Sequence, residues 1–247
     1  MSSPGRRRRD SRSCRRRSGC GCLLRSVAAA AAAAFAALAG LVASGAVTGL
    51  DRWAAEHAMP LAGPPGGAPT LLESVVPLYH ASFHPLGVAV AQVVTLPGQV
   101  VVSLLLVLTA AWRLWGSGRV EAAMAWTGAW LLATAVEVTF RHTLTRPHLY
   151  RHGVHLAAFD ASWPSGHALR CALVAAALAA AWPRLRPLLG IWLAATVVLL
   201  ELAGFHAPTD IAGGLFLATV AAAGAVAFER SALLGRRAGL RRTPSGG

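Results

Sequence analysis

The chain has 247 residues, of which 55% are hydrophobic and 13% charged, a balance that excludes an ordinary soluble globular domain. A formal net charge of +13 invites a nucleic-acid reading, but all 23 basic residues are Arg and their runs sit in the two tails, beside apolar segments rather than on a folded basic face, so nucleic acid is not an expected partner. Cys14, Cys20, Cys22 and Cys171 make neither a disulfide framework nor a zinc-ligand spacing. The dominance of Ala, Gly and Arg points to a GC-rich bacterial genome.

Residues 1–25 are rich in Arg and Ser and are expected to form a disordered tail. Ser26 to Leu50 is an uncharged run long enough to cross a bilayer. A signal peptide, including a Tat-type one, is the rival reading; the run is too long for a typical h-region and is taken as an uncleaved span. Residues 51–84 mix Gly, Pro, His and acids and read as an extended loop with a short interfacial helix. A second span is expected within 86–112, with Pro97 near its start, and a third over 120–140, joined by the basic turn Arg113 to Arg119. After a polar loop at 142–162 come spans at 163–183, 187–205 and 208–228, and an Arg-bearing tail closes the chain from 230 to 247. In lipid every backbone polar group needs an internal partner, which leaves helices or closed barrels, and runs of this length select helices. The expected fold is all-α: a six-helix transmembrane bundle over 26–229 between two basic tails.

Arginine placement sets the expected orientation. The tails and the turns at 113–119 and 183–187 hold 18 of the 23 arginines; the other side holds Arg52, Arg141, Arg146, Arg151 and Arg170. The positive-inside rule then makes both termini cytoplasmic and places the chain as a multi-pass protein of the plasma membrane. All nine histidines fall on the outer side, which marks that face as the chemical one.

Three motifs share that face. Pro164-Ser165-Gly166-His167 opens an apolar helix, where first-turn N–H groups lack intrahelical partners and the dipole favours an anion. Gly166 admits an anion close to the backbone, and His167 can protonate a leaving oxygen. Ser162 or Trp163 is the expected cap of this helix. His206 and Asp210 are four apart, the spacing at which a carboxylate orients an imidazole on one helical face. Arg141 to Leu149 reads RHTLTRPHL, a set of cations suited to phosphate; contact with lipid headgroups is the plainer alternative.

In this order, the motifs resemble the type 2 phosphatidic acid phosphatase superfamily, the membrane relatives of vanadium-dependent haloperoxidases. That family carries Lys, six residues, Arg-Pro; then Pro-Ser-Gly-His; then Ser-Arg, five residues, His, three residues, Asp. The second signature matches at Pro164, Ser165, Gly166 and His167, and His206 and Asp210 match the end of the third. The resemblance implies that Ser165 and Gly166 hold phosphate, that His167 is the general acid, that His206 is the nucleophile and that Asp210 orients it. Leu199-Leu200 stands in place of Ser-Arg. The first signature allows two registers: Arg146-Pro147 as Arg-Pro with Thr139 at the Lys position, or Arg141 at the Lys position with His148-Leu149 replacing Arg-Pro. The second is preferred because it keeps a cation at the first position and a potential one at His148.

Arg170 lies one turn after His167 and is expected to supply the cation missing at Leu200. Glu137 has the spacing for an i,i+4 pair with Arg141, and Glu201 is a candidate partner for Arg170. The candidate site is therefore His167, His206 and Asp210 for catalysis, with Arg141, Arg146, His148, Ser165, Gly166 and Arg170 for phosphate. His80, His84, His142, His148, His152 and His155 make a metal site conceivable, but no Cys joins them and Glu73 and Asp160 are not at ligand spacing, so no metal or cofactor is expected. Trp53, Trp163, Tyr79 and Tyr150 read as interfacial anchors. The expected activity is hydrolysis of a lipid phosphate or isoprenyl pyrophosphate through a phosphohistidine. The alternatives are a phosphotransferase using the same covalent step, a catalytically inactive relative, and a His-rich metal transporter. Oligomeric state is not encoded in any feature of the sequence.

Overall fold

The computed structural model describes the backbone over residues 7–59 and 85–240 and side chains over 22–59 and 86–235. Within them lie eight α-helices: α1 Arg7–Ala43, α2 Thr48–His57, α3 Pro85–Thr95, α4 Val100–Gly116, α5 Val120–Thr143, α6 Gly166–Ala181, α7 Arg186–Leu202 and α8 Pro208–Leu240. A two-residue hairpin, β1 Tyr150–Arg151 and β2 Val154–His155, sits between α5 and α6. The expected all-α class therefore holds. His80, His84, Glu73 and Tyr79 lie outside the described residues.

Among the described residues, four helical segments are long and apolar enough to cross a membrane: Cys22–Ala43, Val120–Thr143, Pro183–Leu202 and Pro208–Gly235. A fifth is possible if Leu86–Gly98 and Val100–Gly116 count as one span bent by 51°. The second span expected within 86–112 is thus two helices. Pro97 has no N–H to donate, and a 3₁₀ turn at Leu96–Gly98 takes up the break. Likewise the first apolar run does not continue to Leu50. It stops at Ala43, turns through Gly45 at φ +77°, and restarts as α2, the short helix expected in the following loop.

α6 is shorter than its expected span of 163–183. Its 16 residues reach only about 24 Å at 1.5 Å per residue. Ten of them are buried, so it is the central helix rather than a lipid-facing one. α4, α5, α7 and α8 pack around it, and α1 lies along α8. The main core joins Val107, Trp126, Trp130, Leu169, Leu173 and Leu217 across these helices. Two glycines of α8 let α6 come close. A Cβ on Gly213 would meet Trp163 Nε1 at 2.8 Å, and one on Gly214 would overlap the Ser165 carbonyl oxygen and stand 3.1 Å from Leu169 N. This fit presses the start of α6 onto the start of α8, which brings two of the motifs together.

Trp163 is not an interfacial anchor. It is 2% exposed, stacks on Phe35 at 5.1 Å, meets Phe140 edge-on at 5.4 Å, and donates Nε1–H to the Thr209 carbonyl at 3.2 Å. The ring clasps α1, α5 and α8 just ahead of α6. Trp53 and Tyr150, by contrast, are exposed.

Candidate active site

The site lies where the ends of α5 and α7, the starts of α6 and α8, and helix α2 converge. The first link is backbone. Ser165 N–H donates to the Asp210 carbonyl at 2.9 Å, tying the PSGH turn to the first turn of α8. The helix cap is Ser165 itself, not Ser162 or Trp163: its hydroxyl accepts from Ala168 N–H at 3.2 Å. With Ser165 and Ala168 engaged, the N–H groups of Gly166 and His167 are first-turn donors without an intrahelical partner.

His167 and His206 come together, their ring centroids 5.6 Å apart. His206 is 5% exposed. Its Nδ1 lies 3.8 Å from Asp210 Oδ2, the expected i,i+4 pair at a separation that needs a small closure to become a hydrogen bond. Gly98 backs His167: a Cβ there would stand 2.9 Å from His167 Cδ2 and 3.0 Å from Cys171 Sγ.

Asp210 is fully buried and heavily committed. One oxygen accepts from Arg146 at 2.7 Å; the other accepts from Ser162 Oγ at 2.5 Å and from Ala207 N–H at 3.2 Å. Arg146 also donates to Asp51 Oδ2 at 2.8 Å. Asp51 in turn accepts from Thr209 Oγ1 at 2.6 Å and Thr209 N–H at 3.3 Å, a cap on α8 supplied from a distant helix. Sequence reasoning missed Asp51 and the Ser162 hydroxyl as supports of the site. The available signal was weak: Asp51, Ala54 and Ala55 form the buried i, i+3, i+4 face of α2.

A second cluster centres on Glu137, which is 1% exposed. Arg141 reaches its Oε1 at 3.2 Å, the expected i,i+4 pair. Arg170 donates to its Oε2 at 3.0 Å. The expected Arg170–Glu201 pairing is therefore replaced by Arg170–Glu137, because α5 packs against α6 where Arg170 emerges. Arg170 also donates Nε–H to the Gly98 carbonyl at 2.6 Å, a backbone acceptor in the turn that Pro97 imposes. Arg141 Nε donates to the Ala161 carbonyl at 3.0 Å while its side chain stays 37% exposed. Gly166 lies over this cluster. A Cβ there would overlap the Arg170 guanidinium and stand 2.5 Å from Glu137 Oε1, so a larger residue at this position has to push both side chains aside.

Leu200, standing where the family pattern has Arg, is fully buried among Ala168, Ile211, Val197 and Phe205. Its carbonyl accepts from Phe205 N–H at 2.9 Å and His206 N–H at 3.3 Å, so it shapes the turn that carries His206.

His148 is not brought to His167 and His206. It is exposed and bonded through Nδ1 to Asp160 at 3.0 Å, beside His155. Burial along the irregular segment 146–149 runs in, out, out, in: Arg146 and Leu149 are buried, and Pro147 and His148 are exposed. Pro147 packs on the α1–α2 turn, where a Cβ on Gly45 would stand 2.8 Å from its Cγ. Of the two registers of the first motif, it is Arg146-Pro147 that meets the site. Asp160, read from sequence as too remote to join the histidines, accepts from His155 Nε2 at 3.0 Å as well. Partial burial pushes its carboxyl upward, but hydrogen bonds from His148 and His155 outweigh that and hold it below the usual carboxylate range.

No family model matches the chain, and comparisons with curated proteins and with solved structures gave no match. The family resemblance therefore rests on the motif residues and their placement.

Proposed function

We propose that this is an integral membrane phosphatase that hydrolyses a lipid phosphate or isoprenyl pyrophosphate through a phosphohistidine. The observation that carries the reading is the meeting of His167 and His206 at 5.6 Å beside Asp210 on one side and the Arg141–Glu137–Arg170 cluster on the other. Residues far apart in sequence converge in the arrangement that phosphoryl transfer needs: a nucleophile, its orienting carboxylate, an acid and a source of positive charge.

In this scheme Asp210 holds His206 Nδ1–H, and the Nε2 lone pair attacks phosphorus. An N–P bond forms as the P–O bond to the leaving group breaks, and His167 gives its proton to the departing oxygen. Arg170, Arg141 and the N–H groups of Gly166 and His167 stabilise charge on the equatorial oxygens. Water then attacks the phosphohistidine while His167 takes its proton back, which releases phosphate and restores both histidines. Ser165 caps the helix that presents those amides. Arg146 aligns Asp210 rather than binding substrate, and His148 stands outside the reacting group. No metal or organic cofactor enters these steps.

Six crossings follow if the bent α3–α4 pair is one span and the short central α6 another. Both termini are then cytoplasmic, and the site opens at the outer surface of the plasma membrane, where a lipid headgroup can reach it.

The test is phosphate release from a panel of glycerolipid phosphates and isoprenyl pyrophosphates, using purified protein in detergent with EDTA. Release by the wild type that vanishes in His206→Ala is expected. Release unchanged in His206→Ala would overturn the proposal.

A further inference from the structure

The loop between α5 and α6 carries a second group of titratable side chains that the proposed reaction does not use. We propose that it binds one divalent transition-metal ion of zinc-like chemistry through His148 Nδ1, His155 Nε2 and Asp160 Oδ1. The inference does not depend on the phosphatase reading.

The geometry is that of a ligand set. Asp160 Oδ1 lies 3.0 Å from both ring nitrogens, and the three donor atoms all fall within 4.8 Å of one another. Zinc bonds of 2.0–2.1 Å at the tetrahedral angle put neighbouring ligand atoms about 3.3 Å apart. The two edges to Asp160 match that spacing to within a few tenths of an ångström, and the third, between the two rings, lies within 4.8 Å and closes by rotation of the exposed imidazoles. Two imidazoles with one carboxylate suit zinc and its neighbours, whereas calcium and magnesium favour shells of oxygen. The side chains are 61%, 37% and 33% exposed for His148, His155 and Asp160, which leaves room for a water as fourth ligand.

The fold builds this arrangement rather than leaving it to chance encounters of surface side chains. The hairpin pairs Tyr150 with His155 and Arg151 with Val154, and Leu156 N–H donates to the Leu149 carbonyl at 2.8 Å, so His148 and His155 flank one end of a closed ladder. Their rings meet edge to face at 4.6 Å. The turn Ala157–Phe159 then delivers Asp160, anchored by buried Phe159 packing with Leu149. Two imidazole N–H groups bonded to one carboxylate is the competing arrangement. It needs a proton where the metal needs a lone pair, so the two are chemically exclusive.

An ion here would pin a segment the site depends on. Asp160 precedes Ala161, whose carbonyl holds Arg141, and Ser162, whose hydroxyl holds Asp210. The ion is bracing, and its occupancy shows as stability of the folded chain.

The full chain in detergent, treated with EDTA and desalted, would be titrated with Co(II) and then with Zn(II). One equivalent of Co(II) should bind with the intense visible band of a four-coordinate site, Zn(II) should bleach that band, and the melting temperature should rise with Zn(II) concentration. His155→Ala and Asp160→Asn should each weaken binding at least about ten-fold. His142→Ala and His57→Ala, outside the cluster, should bind as the wild type does. If His155→Ala does not fold, Asp160→Asn and His148→Gln decide the matter in its place. Absence of saturable one-to-one binding, or equal affinity in the cluster variants and the controls, would overturn the proposal.

Discussion

Two buried arginine clusters flank the paired histidines, and they are built with opposite charge balance. In one, Arg146 is shared by two carboxylates, Asp51 and Asp210, and the side chains of all three are at most 3% exposed. In the other, Glu137 is shared by two guanidiniums, those of Arg141 and Arg170, one of them partly open to solvent. The first has a formal negative charge in excess, and its arginine is held between the two carboxylates. It suits the task of holding Asp210, and through it His206, in place. The second leaves a positive charge in excess beside the open first turn of α6, which is where an anion gains most. In the proposed reaction sharing decides the role: the arginine held by two carboxylates positions, and the arginine pair that shares one carboxylate binds phosphate.

Breaking the clusters should therefore have different consequences. The largest effect is expected for Arg146→Ala, which strands two buried carboxylates. Loss of one partner of a buried pair costs about 3–5 kcal/mol, so the variant should melt far below the wild type or fail to accumulate. A wild-type melting temperature would contradict the positioning role. Arg170→Ala should come next: it lowers stability less than Arg146→Ala, because Glu137 keeps Arg141, and phosphate release per folded molecule should fall about 10²–10³-fold if Arg170 supplies charge in the transition state. Wild-type turnover in that variant would remove Arg170 from the site. Gly166→Ala sharpens the same point sterically. The added methyl meets Arg170 and Glu137, and overpacking of this kind costs about 1–3 kcal/mol with activity falling further than stability. The smallest change in stability is expected for Arg141→Ala. Its partly exposed pair contributes only about 0–1 kcal/mol, so melting should hardly move while KM rises. A large drop in melting with unchanged KM would reverse the roles assigned to Arg141 and Arg146.

How much of this was legible in sequence differs between the clusters for the same physical reason. Helical spacing is a local signal, so Glu137–Arg141 and His206–Asp210 could be read from a four-residue interval. Arg170 could be singled out from its place one turn after His167. Its partner could not, because Glu137 comes from another helix and the choice over Glu201 depends on which helices pack together. Asp51 lay further out of reach: it sits 95 positions before Arg146 and meets it only because Gly45 turns the chain at the end of α1 and Pro147 packs into that turn. The break at Pro97 was visible as a residue but not as a device. Only packing shows that the turn it creates supplies the Gly98 carbonyl to Arg170. Charge spacing alone could not say that Arg146 is buried and His148 exposed along the irregular segment 146–149, which is why His148, expected at the site, lies outside it.

The central claim is that His206 carries the phosphoryl group while the Arg141–Glu137–Arg170 cluster holds its oxygens. The most direct test is to mix the protein with a lipid phosphate labelled in its phosphorus, quench within one turnover, and locate the label. The expected result is an acid-labile, alkali-stable phosphoprotein with the label on His206, absent from His206→Ala, lower in Arg170→Ala, and lost when the complex is chased in water. Phosphate release with no labelled protein at any quench time, or label on another residue, would contradict it.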